Sequence, residues 1–145
     1  MTPNDLLRKE HETIREGTTA LTQALDGATA KVQDRLTQIQ KILQTHFRRE
    51  EIYYRTMDDG KRIEDRGAMH TLRNDHAAIL FSLESLMIRL RKDGVTDDWR
   101  RRLKAMTDVL LPHLTMEENF LFPKTDTMLS PEQKKTLLEE MKNRE

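Results

Sequence analysis

The chain is predicted to fold as an all-α, antiparallel up-down four-helix bundle with a short C-terminal helix, and three observations predict it. Glycine (5) and proline (4) are scarce, aromatics make up 5%, and good helix formers such as Leu, Met, Glu, Lys, Gln and Arg are plentiful. The few breakers divide the chain into four long segments. Within each segment apolar residues recur three and four apart, the spacing of one helix face. A length of 145 residues suits one compact domain and leaves no room for a second core.

The first helix, about residues 4–25, carries Leu7, Ile14, Leu21 and Leu25 on its apolar stripe and stops near Gly27. The second, about 29–56, carries Leu36, Ile39 and Leu43, and the stretch around Asp58, Asp59 and Gly60 reads as a loop. Leu72, Ile79, Leu83, Leu86 and Leu90 mark the third, about 67–92, which Lys92-Asp93-Gly94 closes. The fourth, about 97–122, carries Leu103, Met106 and Leu110, and Pro123 is expected to end it. Ser130-Pro131-Glu132 supplies an N-cap and a first-turn proline for a short last helix. Residues 1–125 thus form the bundle and 126–145 a helical tail.

Charge and composition exclude several partners. Charged residues reach 34%, but Lys+Arg and Asp+Glu balance at 25 each, so no net field draws nucleic acid or an anionic membrane. Without cysteine there are no disulfides, iron–sulfur clusters or thiolate zinc sites. The start, Met-Thr-Pro-Asn-Asp, lacks a basic stretch and an apolar run, and no stretch approaches the roughly 20 apolar residues of a membrane span. A cytoplasmic protein is the expectation.

The histidines interrupt the apolar stripes. Continuing each stripe by three or four residues lands on His11 after Leu7, His46 after Leu43, His76 after Leu72 and His113 after Leu110. Each helix therefore aims one histidine at the core. Glu50 follows His46, and Glu117 follows His113, by four residues, which puts carboxylate and imidazole on one face a turn apart. Ionised carboxylates in an apolar core are costly unless paired or bound to metal, so two of them among four imidazoles call for cations.

The pattern also repeats. Lys-Glu-His11-Glu-Thr-Ile matches Asn-Asp-His76-Ala-Ala-Ile, and His46-Phe-Arg-Arg-Glu-Glu matches His113-Leu-Thr-Met-Glu-Glu, at offsets of 65 and 67 residues. A duplicated hairpin, each half supplying two histidines and one carboxylate, suits two equivalent metals better than one.

The series His11, His46-x-x-x-Glu50, His76, His113-x-x-x-Glu117 resembles the ligand pattern of hemerythrin-like, or HHE cation-binding, domains. The resemblance covers about residues 5–123 and includes the pairs Glu50-Glu51 and Glu117-Glu118 and the exit Phe120-Leu121-Phe122-Pro123. It implies that the six motif residues ligate a non-heme di-iron centre, oxo- or hydroxo-bridged, with Glu50 and Glu117 bridging the irons. The chain departs from oxygen-carrying hemerythrins at two points. They place a second histidine four residues from the third-helix ligand, where Leu72 and Leu80 stand here, and an Asp five residues after the last-helix histidine, where this chain uses Glu117 at four. Two octahedral irons have about twelve positions, of which four histidines, two bridging carboxylates and one bridging oxide fill roughly ten, leaving about one open per iron. Open positions on both irons favour turnover over transport.

Other residues have plainer readings. His70, six residues before His76 and so roughly 120° around a helix, is expected at the surface, with a gating or ligand role as the alternative. Arg100, Arg101 and Arg102 read as a solvated face, most of the eight methionines as core filler, and Trp99 as packing at a helix start. Tyr53 and Tyr54 follow Glu50 by three and four residues. Packing at the bundle end accounts for them. Helical side chains also tilt toward the N-terminus, so either phenol could point back at the metal as a further ligand or gate, with a slight preference for Tyr54.

Two classes of function stay open. The first is a di-iron oxidoreductase that decomposes peroxide in a catalase-like manner or reduces O2 or NO. The second is a non-catalytic carrier or sensor of O2, or an iron-responsive binding protein.

Overall fold

The computed structural model describes residues 1–59 and 63–143, all helix and connecting turns with no strand among them. Helix α1 (Pro3–Ala24) opens with a capping box. The Thr2 hydroxyl accepts from the Asp5 N–H at 3.1 Å and the Asp5 carboxylate accepts from the Thr2 N–H at 2.8 Å, while Pro3 sits where no N–H is required. Helix α2 (Thr29–Asp59) follows a short turn through Gly27. Helix α3 (Ile63–Asp93) ends at Gly94, whose φ of 71° is left-handed and whose N–H returns to the Leu90 carbonyl at 2.9 Å. Helix α4 (Asp97–Met116) starts from Thr96, which accepts from the Trp99 N–H at 3.0 Å.

Two boundaries correct the sequence reading. Asp58 and Asp59 are helical, the last residues of α2, and α3 begins at Ile63 rather than near 67; Gly60 lies outside the described residues. Met57, 2% exposed, is buried beyond the expected end of α2, so tertiary packing extends that helix past the point where propensity weakens. Nor does Pro123 end the last bundle helix. The chain passes from α4 into a π-helical turn (Glu117–Leu121) and on into α5 (Phe122–Met128). The Phe122 N–H reaches back five residues to the Glu117 carbonyl, which resets the helix so that Pro123 falls in a first turn, where its missing N–H is harmless.

Neighbouring helices pack in the order α1, α2, α3, α4 and back to α1. The register is antiparallel: Arg100 at the start of α4 donates to Asp26 beyond the end of α1 at 2.9 Å, while Asn4 at the start of α1 donates to the Phe122 carbonyl at 3.0 Å. Helix α6 (Pro131–Asn143), capped reciprocally by Ser130 and Gln133, lies on α2 and α1.

The interior is divided in two. One apolar cluster gathers Ile14, Leu21, Leu36, Leu43, Phe47, Ile79, Leu83, Trp99, Leu103 and Leu110. The other gathers Leu7, Ile52, Tyr53, Tyr54, Leu72, Leu121 and Phe122, closed over by Leu137 and Met141 of α6. Along α1 and α3 the step from one cluster to the other passes through His11 and His76, and along α2 and from α4 into the π turn it passes through Glu50 and Glu117. Trp99 packs at the helix start as expected, with Nε1 donating to the Leu86 carbonyl at 2.8 Å. No helix among the described residues is long and apolar enough to cross a membrane.

Candidate metal centre

Each ligand candidate reaches the layer between the clusters because its helix buries apolar residues on both sides of it. His11 stands between Leu7 and Ile14, His76 between Leu72 and Ile79, and His113 between Leu110 and Leu114, all buried. His46 and Glu50 come from α2, and Glu117 is the first residue of the π turn. All six sequence candidates meet in one buried cluster: His11, His46, Glu50 and Glu117 are 0% exposed, His113 2% and His76 7%.

The imidazoles present Nε2 inward. His46 Nε2 and His76 Nε2 lie 3.2 Å and 3.1 Å from Glu50 Oε1, while His11 Nε2 and His113 Nε2 lie 3.3 Å and 3.2 Å from Glu117 Oε1. The donor atoms form two overlapping groups, each within 4.8 Å of one another: His11, His46, Glu50 and Glu117, and then Glu50, His76, His113 and Glu117. Both carboxylates belong to both groups.

None of the four Nε2 atoms, neither oxygen of Glu50 and not Glu117 Oε1 has a hydrogen-bond partner. Leaving one buried polar atom unsatisfied costs about 1–3 kcal/mol, so seven converging on one layer would be untenable as mere packing. Nitrogen and carboxylate donors at this density fit borderline divalent or trivalent cations such as iron.

The outer edges of three rings are held by carboxylates. His11 Nδ1 lies 2.7 Å from Glu118 Oε2, His46 Nδ1 3.0 Å from Glu10 Oε1 and His113 Nδ1 3.1 Å from Asp75 Oδ2. Such a partner fixes the Nδ1–H tautomer and leaves Nε2 as the inward lone pair. Arg15 grips Glu118 at 2.8 Å through both oxygens, and Arg49 pairs with Glu10. Phe47 stacks on His76 with ring centroids 4.1 Å apart.

Electrostatics show the same demand for positive charge. Burial alone would lower the histidine pKa values, but Glu117 and Glu50 outweigh it at His11, raised to about 9, and at His113, raised to about 11. At His46 burial is outweighed by Glu50 and by the bond to Glu10, raising it to about 10. Burial would raise Glu50, yet the facing histidines hold its carboxyl well below the usual range.

The structure separates the other candidates. Tyr54 Oη donates to Glu117 Oε2 and so touches the cluster. Tyr53 Oη donates to Asn4 Oδ1 at 2.8 Å and contacts Thr125, away from it. Burial, reinforced by Glu50 and Glu117, pushes the Tyr54 phenol well above its usual value, and burial likewise pushes Tyr53 up. His70 is exposed. Leu72 is fully buried and Leu80 partly buried, so the positions four residues from His76 offer apolar contact.

Glu10 and Asp75, which the sequence reading passed over, occupy equivalent places. Each directly precedes the histidine of its own helix and supports the histidine of the next. The signal lay in the repeat, which aligns Glu-His11 with Asp-His76.

No curated protein and no solved structure matches the chain. A family match does exist, to the Hemerythrin HHE cation binding domain over residues 2–125, which spans every residue of the cluster and its carboxylate supports. The chain belongs to the hemerythrin HHE cation-binding domain family.

Proposed function

We propose that this cluster holds two iron ions and reacts with small oxygen species, decomposing hydrogen peroxide or reducing O2 or NO. His11 and His46 would hold one ion, His76 and His113 the other, and Glu50 and Glu117 would bridge them. The observation that carries this reading is the sharing of both carboxylates between two groups that each supply two histidines. Zinc favours closed four-coordinate sites and fits this shared arrangement less well. With two imidazoles for each, both ions would keep positions for exogenous ligands, and iron so held would supply ferrous–ferric redox chemistry and a Lewis-acidic binding place.

The protein's own groups perform the remaining tasks. Carboxylates at Nδ1 orient His11, His46 and His113. The apolar clusters on either side exclude bulk water from the layer. Tyr54 keeps a proton at Glu117 Oε2 and is the residue best placed to become a phenolate ligand of oxidised iron. Peroxide disproportionation, two H2O2 giving two H2O and one O2, needs no external reductant, so it is the reaction a single chain can complete.

Anaerobic loading with ferrous iron, then exposure to O2, peroxide and NO in turn under visible absorption, tests the reading. Peroxide loss with O2 release faster than from free ferric iron is expected. A reversible coloured O2 adduct that persists for minutes would establish a carrier instead.

A further inference from the structure

Resting on the two-metal reading, we infer that the two metal positions are unequal, with the His76/His113 position the weaker, because Arg73 holds Glu51 off His76. The repeat makes the comparison direct. Glu51 follows the bridging candidate Glu50 as Glu118 follows Glu117. In one half Glu118 accepts from His11 Nδ1 at 2.7 Å. In the other half Glu51 makes no bond to His76; it pairs with Arg73, whose Nε lies 3.3 Å from Glu51 Oε2 and whose Nη2 contacts Oε1.

The placement of arginine explains the difference. Arg15 sits four residues after His11 and grips Glu118 with both nitrogens on the turn that leaves Oε2 beside the imidazole. The equivalent position four residues after His76 is Leu80. Arginine stands instead three residues before His76 and draws Glu51 a turn away along α3. The matching residue in the first half, Arg8, is occupied elsewhere, with its guanidinium 5.2 Å from the Phe122 ring centre. Among the described residues His76 is thus the one cluster histidine without a carboxylate on Nδ1, and Phe47 covers its face.

A carboxylate at the outer nitrogen raises imidazole basicity and fixes ring orientation, and losing it costs roughly 10–100-fold in metal affinity. The second ion should therefore load last, leave first and exchange with solvent cations more readily. Arg73 acts here as a positioning residue: with its side chain 27% exposed and paired to a Glu51 that is 40% exposed, it contributes little to folding.

The test is an anaerobic titration of chelator-stripped full-length protein with cobalt(II), followed by its visible bands and by calorimetry. Two ions should bind, the second at least tenfold more weakly. Arg73→Leu should narrow that gap by strengthening the second step, because Glu51 is released toward His76. Glu118→Gln should narrow it by weakening the first step. Two ions of equal affinity, or a gap that Arg73→Leu leaves unchanged while the variant melts as the parent does, would overturn the inference. Uptake of a single ion would instead overturn the two-metal reading beneath it.

Discussion

A buried histidine that carries a carboxylate on one nitrogen and faces others on the second stays protonated to higher pH than a free imidazole, and three residues here are so placed. His11, His46 and His113 sit at about 9, 10 and 11 against an ordinary value of 6.5, because neighbouring carboxylates overcome the burial that opposes their charge. Groups raised in the folded state contribute stability that is full below the unfolded value and is lost as pH rises through the folded one. Chelator-stripped protein should therefore melt at progressively lower temperature as pH rises from about 6.5 toward 11. Iron binding needs neutral imidazoles, so loading near neutral pH should release protons and tighten as pH rises. An affinity independent of pH, with no proton release in calorimetry, would contradict this. Tyr54 gives a second expectation at this scale. Oxidised iron-loaded protein should show a broad phenolate charge-transfer band that disappears on reduction, is abolished by Tyr54→Phe and survives Tyr53→Phe. A band that survives Tyr54→Phe would leave Tyr54 a hydrogen-bond donor to Glu117 and nothing more. The convergence of the six inward residues was legible because each lies on or one turn from an apolar stripe, a property of one helix. Their outer partners were not, because Glu10 meets His46 and Asp75 meets His113 across helices, in a register that no single segment encodes.

At the scale of elements, helix α6 and the π turn are what sequence periodicity described least well. A proline normally removes a bond and collides with the carbonyl four residues back, so Pro123 reads as a stop. The π turn beginning at Glu117 absorbs that conflict and carries the carboxylate itself, in keeping with the tendency of π turns to occur at functional sites. The cap of α6 was readable from Ser130 and Pro131, but its docking was not. Leu137 and Met141, 2% and 0% exposed, close the apolar cluster that contains Tyr53 and Tyr54. Leu137→Ala or Met141→Ala should each destabilise the fold by about 2–5 kcal/mol, read as a lower denaturant midpoint. Unchanged midpoints in both would mean that α6 is peripheral to the bundle. Gly94 makes a smaller claim: at φ 71° an alanine is strained although its Cβ would meet nothing closer than Thr29 Oγ1 at 3.9 Å. Gly94→Ala should then cost about 1–2 kcal/mol of backbone strain alone, with iron content unchanged.

Over the whole molecule, a doubled hairpin wraps two apolar clusters around one polar layer, and the repeat was visible before any helix was placed. Matching Lys-Glu-His11 with Asn-Asp-His76 foretold the two-histidine-plus-carboxylate halves. It could not foretell that Arg15 would hold Glu118 and Arg73 would hold Glu51, because arginine reaches far enough for its partner to depend on the folded surface. Leu72 marks where further chemistry could be added. Buried four residues before His76, it is with Leu80 one of the two places where the resemblance would put a further histidine, so Leu72→His should slow peroxide turnover in iron-loaded protein. Undiminished turnover with a histidine at that position would show that open coordination on both ions is not what drives the reaction. The central claim, two ions bridged by Glu50 and Glu117, is tested most directly by metal analysis and X-ray absorption on ferrous-loaded, oxidised protein, beside Glu50→Ala and Glu117→Ala. The account predicts two irons per chain with a metal–metal distance no longer than about 4 Å, and loss of at least one iron in either variant. One tightly bound ion, zinc retained in preference to iron, or two irons with no short metal–metal path would contradict it.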